Sequence, residues 1–235
     1  MRLQKAGNAG QAALFLNEAC EMGVRSFHCS HEYESFPLFA EAWNSAGLRS
    51  TGATVVAKIA SPPFGKTVFS GREVRNALEN YRRALKVDRI DIVQWLLRYD
   101  LSQDEVRLQI LLDSAERIAE VFATFKREGL IGSLVAFPYS RPIADELVRA
   151  DWIDGLAFYV NPLEREMDVV LDDCASAGKP VLAIRPFAAG RLFTETNQGV
   201  ADALDYALGM SAVQTSVVSV SSRLHLRALA PWLQS

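Results

Sequence analysis

Apolar residues recur along this chain in two alternating rhythms. Short apolar runs, the pattern of buried strands, take turns with longer stretches in which apolar positions return every three or four residues, the pattern of one helix face. The first stretch, 10–22, places Ala13, Leu14, Leu16, Ala19, Cys20 and Met22 largely on one side, and Gly23 stops it. Strands are predicted at 24–27, 53–59, 90–97, 130–137, 155–160, 180–184 and 215–220. Helices are predicted at 35–46, from Ser70 to Leu85, from Ser102 to Gly129, and at 142–150, 164–177, 200–210 and 224–233. Pro37 sits near the start of the second helix and Gly47 at its end. Ser70 with Glu73, and Ser102 with Glu105, have capping-box spacing.

Seven strands and eight helices, a helix first, read as a parallel sheet wrapped by helices. An open doubly wound sheet also alternates, but no strand here is followed by a G-x-G-x-x-G turn. The expectation is therefore an α/β fold of TIM-type, a (β/α)₈ barrel over residues 1–235 as one domain, incomplete because its first strand is missing or very short. An unclosed barrel leaves two strand edges unpaired. Either Arg2–Lys5 supplies a short pairing segment, another chain does, or the native polypeptide is longer at its N-terminus. Without that strand, self-association through the open edges or marginal stability is expected.

Composition narrows the partners. The 235 residues carry a net charge of −3, so there is no basic field to hold nucleic acid. No apolar run is long enough for a bilayer span, and the first residues lack a signal-peptide apolar region. Three widely spaced cysteines fit free thiols in a reducing cytoplasm better than a disulfide framework.

The candidate chemistry gathers where the first strand meets the barrel mouth: His28, Cys29, His31, Glu32 and Tyr33. A metal site is not expected. His28 and Cys29 are strand neighbours facing opposite sides, and the chain has only three histidines. His28 reads as a barrel-lining residue. Arg185 ends an apolar strand, faces the mouth and calls for an anion; Glu164, Asp100 or a bound phosphate would each serve. Trp95 and Phe137 fit a pocket wall and core packing equally well.

The order of motifs resembles the aldo-keto reductases, NADP(H)-dependent (β/α)₈ barrels, through nearly all of residues 10–230. Gly23-Val-Arg-Ser-Phe27 is similar to the family's G-[VI]-x-x-F-D-T-A-x-x-Y, with Tyr33 at the tyrosine. Val55-Val-Ala-Lys58 matches V-x-[TS]-K, and 87–95 closely matches V-D-Y-I-D-L-x-Q. Gly129-Leu-Ile-Gly-Ser-Leu134 resembles G-K-I-R-x-I, Asn161-Pro-Leu-Glu-Arg165 resembles N-x-L-E-R, and Arg185-Pro-Phe187-Ala-Ala-Gly190 resembles the S-P-L-A-x-G phosphate loop.

The resemblance implies a tyrosine that protonates a small carbonyl substrate, a lysine that lowers its pKa, an aspartate that holds the lysine and a histidine that orients the carbonyl. By position, Tyr33 and Lys58 are the catalytic candidates, whereas the aspartate falls on His28 and the histidine on Leu96. The nicotinamide-binding Ser-Asn pair falls on Phe137 and Pro138, and the glutamine on Ala157. The adenine-binding pair falls near Leu224 and Leu229. What persists for the NADP(H) phosphates is Arg185, Phe187 and Gly190 in the loop, with Ser221 and Arg223 beside Ser222 and His225. The expectation is a degenerate reductase with weak or lost carbonyl reduction. Two alternatives remain: an active NADPH-dependent enzyme using Tyr33 and Lys58, and a non-catalytic barrel that binds a small ligand or a partner chain.

Overall fold

A computed structural model describes residues 7–233. Seven strands, β1 (Ser26–Cys29), β2 (Thr54–Ala60), β3 (Ile90–Leu96), β4 (Ile131–Phe137), β5 (Gly155–Tyr159), β6 (Val181–Ile184) and β7 (Val213–Val217), follow one another in that order in a single sheet. All pairs are parallel. The helices are α1 (Ala9–Glu21), α2 (Phe36–Ser45), α3 (Gly71–Leu85), α4 (Asp104–Arg127), α5 (Arg141–Arg149), α6 (Asp168–Ser176), α7 (Leu192–Glu195), α8 (Val200–Leu208), α9 (Arg223–Arg227) and α10 (Ala230–Leu233). This is the incomplete TIM-type (β/α)₈ barrel read from the sequence, and no described helix is long and apolar enough to cross a membrane.

Each strand splits its side chains between two cores. One face packs under the helices, where Trp95 lies 5.8–6.4 Å, ring to ring, from Trp152, Phe122 and Phe69. The other fills the lumen with Val56, Leu96, Val135, Phe137, Ala157 and Leu182. The strict alternation is why His28 lines the barrel while its neighbour Cys29 packs outside among the helices.

β1 pairs only with β2, and β7 only with β6, so the ladder is open between β1 and β7 among the described residues. The proposed pairing segment at 2–5 lies outside them. The seam is bridged from outside. Ala19 of α1 packs with Leu204, Val220, Leu226 and Leu229, and Glu18 pairs with Arg223 at 2.6 Å. Gly23 turns there with φ +109°, and a Cβ on it would sit 2.5 Å from the Leu233 carbonyl oxygen.

Several boundaries differ from expectation. β1 starts at Ser26 rather than residue 24, because Val24 packs as a loop residue against the helices. β7 covers Val213–Val217 rather than 215–220, since Val218 and Val220 belong to the seam core. α6 starts at Asp168, because Asn161 and Glu164 are held in a loop. Ser102 does not cap α4: its amide and hydroxyl both bond Asp100 Oδ1, and Gln103 takes the cap position. The last predicted helix is two short ones, α9 and α10.

Candidate functional site

The loops that follow β1 to β4 meet over one side of the barrel mouth. They bring Glu32 and Tyr33, both just past β1, toward Lys58 of β2 and Arg98, which lies two residues beyond β3. Tyr139, two residues beyond β4, completes the group.

Glu32 is the hub. Its carboxylate accepts both terminal nitrogens of Arg98, Nη1 and Nη2 (the latter at 2.9 Å), and lies 2.8 Å from Lys58 Nζ. Burial works against its ionisation, yet the hydrogen bonds and charges of Arg98 and Lys58 hold the carboxyl at about 2. Arg98 is pulled down by burial and raised more strongly by its bonds to Glu32 and Tyr139, whose hydroxyl lies 3.2 Å from Arg98 Nε. The Lys58 ammonium sits 5.2 Å from the centroid of the Tyr33 ring. Burial, and next the Glu32 carboxylate, push the Tyr33 phenol above its ordinary value.

Below this layer, His28 Nε2 meets Gln94 Oε1 at 2.7 Å. Burial, with the Lys58 charge adding to it, lowers the imidazole to about 4, so His28 is neutral at pH 7. Leu96 is buried in the apolar lumen beside it.

Across the mouth the walls are aromatic. Phe137 meets Tyr139 edge-on at 4.3 Å and Tyr159 at 5.0 Å, beside a cavity of about 50 Å³ that Glu164, Glu166 and Met167 also line. The guanidinium of Arg107, fully buried, donates to the carbonyls of Leu97 at 3.1 Å and Pro138 at 2.5 Å, and pairs with Asp104. Pro138, which has no N–H, therefore has its carbonyl committed as well.

Arg185 stacks over Tyr159 at 4.3 Å and lies 3.6 Å from Glu164, which Arg191 also approaches at 3.7 Å. Of the two protein anions expected for Arg185, Glu164 is thus the partner, while Asp100 is occupied by Ser102 and Gln103. Buried Asn161 donates to Glu164 and to the Arg185 carbonyl, tying the N-x-L-E-R segment to the following loop. In that loop Ala188 N–H bonds the Arg185 carbonyl, Gly190 N–H bonds the Phe187 carbonyl, and the Phe187 ring packs on Phe193 at 5.4 Å. Ser221 Oγ meets His225 Nδ1 at 3.2 Å, whereas Arg223 turns to Glu18 at the seam.

The chain thus brings Tyr33 to Lys58 and gathers Arg185, Phe187 and Gly190 in one turn, but engages Arg185 and Arg223 with its own carboxylates. Sequence reading missed the partnership of Glu32 with Lys58, and missed Arg98, Tyr139 and Arg107. Arg98 did leave a signal, a charge ending an apolar run, as Arg185 does.

The fold is shared widely. The structure superposes on an aldo-keto reductase from Bacillus halodurans in its holo form with a TM-score of 0.75, at 17% identity, covering 97% of this chain and 82% of that one. An aldo-keto reductase from Klebsiella pneumoniae in complex with NADPH gives 0.72 at 20% identity, with 97% and 80% covered. A Pseudomonas aeruginosa protein assigned to the aldo-keto reductases gives 0.73 at 22%, with 97% and 82% covered. No curated protein is significantly similar in sequence. The sequence pattern of the Aldo/keto reductase family matches residues 2–202, most of the chain. With barrel, strand order and motifs in agreement, the chain belongs to the aldo/keto reductase family.

Proposed function

We propose that this family member keeps the barrel as a binding scaffold and has lost conventional NADPH-dependent carbonyl reduction. The observation that carries the reading is the nicotinamide end, where buried Phe137 and Ala157, with Pro138, stand in place of the family's hydrogen-bonding side chains. A tyrosine serves as a proton donor near neutral pH only when a cation favours its phenolate. Glu32 holds Lys58 as the family's aspartate would, yet burial and next the Glu32 carboxylate push the Tyr33 phenol up. Leu96 offers no hydrogen bond to a carbonyl oxygen.

NADP(H) is the cofactor the family implies, and the Klebsiella pneumoniae relative is described with NADPH. The nicotinamide end does not fit it here. Phe137 and fully buried Ala157 present no donor for a carboxamide, and the Pro138 carbonyl already accepts from Arg107. At the phosphate end the motif positions would give the contacts to Arg185, Phe187, Gly190, Ser221 and Arg223. Arg185 and Arg223 would first have to leave Glu164 and Glu18.

The proximity of Tyr33 and Lys58 favours a second reading, an active reductase. Tryptophan-fluorescence titration with NADPH, combined with turnover of a simple aldehyde, separates the two. The expected result is no turnover at any NADPH concentration; micromolar NADPH binding with steady aldehyde reduction sinks the proposal. Restoring His28→Asp and Leu96→His together with Glu32→Gln is expected to stay silent, because the carboxamide clamp is also missing. A positioned acid–base group is worth about 10²–10⁴-fold, so a gain on that scale in the triple variant shows that the cofactor end was intact.

A further inference from the structure

We infer that the Tyr81 hydroxyl replaces a rung of the sheet between β1 and β2, and that through it a side chain of α3 sets where Glu32 and Tyr33 stand relative to Lys58. Tyr81 is a positioning residue in this sense: it packs with the core on the helix side of the strands and acts on the mouth through the backbone.

Register carries the first half. β1 and β2 run in parallel from Ser26↔Thr54 to Cys29↔Ala57, and the Thr54 N–H bonds the Arg25 carbonyl at 2.8 Å. Bonds in a parallel pair are evenly spaced, with every second residue of a strand facing the same neighbour. Carried two residues past Cys29, that spacing sets the His31 N–H opposite the Lys58 carbonyl as the next rung. A side chain stands there instead. The His31 N–H donates to the Tyr81 hydroxyl at 2.9 Å, and that hydroxyl donates to the Lys58 carbonyl at 2.8 Å. One hydroxyl, which both accepts and donates, satisfies two backbone groups and holds them one oxygen apart.

Rigidity carries the second half. Tyr81 is fully buried, and burial pushes its phenol far above the ordinary value, so it keeps the proton that it donates. The His31 ring lies 3.7 Å from the Tyr81 ring and 4.3 Å from Phe36, and Phe36 meets Tyr81 edge-on at 5.4 Å. Past His31 the turn is short and tied. The Glu32 N–H bonds Ser30 Oγ at 3.2 Å, the Tyr33 N–H bonds the Ser30 carbonyl at 3.1 Å, and the Phe36 N–H bonds the Tyr33 carbonyl at 2.8 Å. A turn so tied moves as one piece, so whatever fixes His31 fixes Glu32 and Tyr33. The inserted hydroxyl splays the end of β1 from β2 by the distance at which the Glu32 carboxylate spans Lys58 and Arg98.

The test compares Tyr81→Phe, which keeps the ring and removes the bridge, with Leu85→Val, which opens a small gap one turn on along the same buried face of α3. Both are expected to lower the urea midpoint, so stability alone does not separate them. Only Tyr81→Phe is expected to move the Glu32 carboxyl in a carbon-13 NMR titration of the full chain, from about 2 upward toward the ordinary 4.5, as the turn slips away from its two cations. In the same variant the His31 amide is expected to exchange with solvent at least about tenfold faster than in the parent. A Glu32 titration that stays put in Tyr81→Phe, or that Leu85→Val moves as far, overturns the inference. Should Tyr81→Phe not fold, the parent decides: a His31 amide as protected as that of Cys29 supports the bridge, and one that exchanges at the rate of an unstructured peptide overturns it. Aldehyde turnover with NADPH would sink the proposed function alone, because neither measurement uses nucleotide.

Discussion

His28 is a part-buried imidazole that carries a pH dependence with it. Its folded value is about 4 against an ordinary 6.5. Between those values the unfolded chain binds the proton and the folded chain does not, so stability falls as pH drops through that window. Above it the contribution is fully present, and below it the loss is complete. The loss amounts to on the order of 3 kcal/mol. His28→Gln removes the titration, so the pH dependence of urea unfolding between those values is expected to flatten. A variant whose curve keeps the parent slope assigns the dependence to another group. Glu32 adds a lower window: its carboxyl is depressed from 4.5 to about 2, so its contribution is lost as pH falls through that range. At this scale the sequence was partly legible. Tyr33 and Lys58 lie in family motifs and do meet, and the period of two placed His28 in the lumen. The partnership of Glu32 with Lys58 was not legible, because Glu32 lies in a loop whose path no periodicity encodes.

Among the elements, β3, β4 and the start of α4 are fastened by one side chain. Arg107 is fully buried, and burial lowers its pKa, yet its guanidinium satisfies the carbonyls at the ends of both strands and pairs with Asp104 at the helix start. Arg107→Met leaves those carbonyls without a donor and Asp104 without its cation. A cost of about 3–5 kcal/mol in urea unfolding is expected. A loss under about 1 kcal/mol, the range of exposed ion pairs, means that the clamp is dispensable. Strands were the most legible elements. The runs that formed β2, β3 and β4 are dense in apolar residues on both faces, as parallel strands buried on both sides must be. The boundary errors at β1 and β7 arose because Val24, Val218 and Val220 are apolar for a different reason, packing into the seam. Ser102 misled because Asp100 competes for its hydroxyl and amide.

For the whole molecule the decisive feature is the open ladder. Among the described residues the facing edges of β1 and β7 have no strand partner, which leaves backbone groups that a second chain is able to pair. We propose that the protein self-associates there, so light scattering behind size-exclusion chromatography is expected to show a mass that rises with concentration. A constant monomer mass across a wide concentration range refutes this. That the described residues hold seven strands was legible as a count of apolar runs. How the gap is bridged was not, since it depends on Ala19, Leu226 and Leu229 meeting from opposite ends of the sequence.

A closed hoop spreads strain over all its members, whereas a rolled ribbon hands it to the overlap. In this barrel the overlap is the patch where α1 lies against α8 and α9, and Ala19 is fully buried within it. A bulkier side chain there would pry the two ends of the ribbon apart and carry the loop holding Glu32 with one of them. The shape of the mouth is thereby open to tuning from the back of the molecule, by residues that line no part of it.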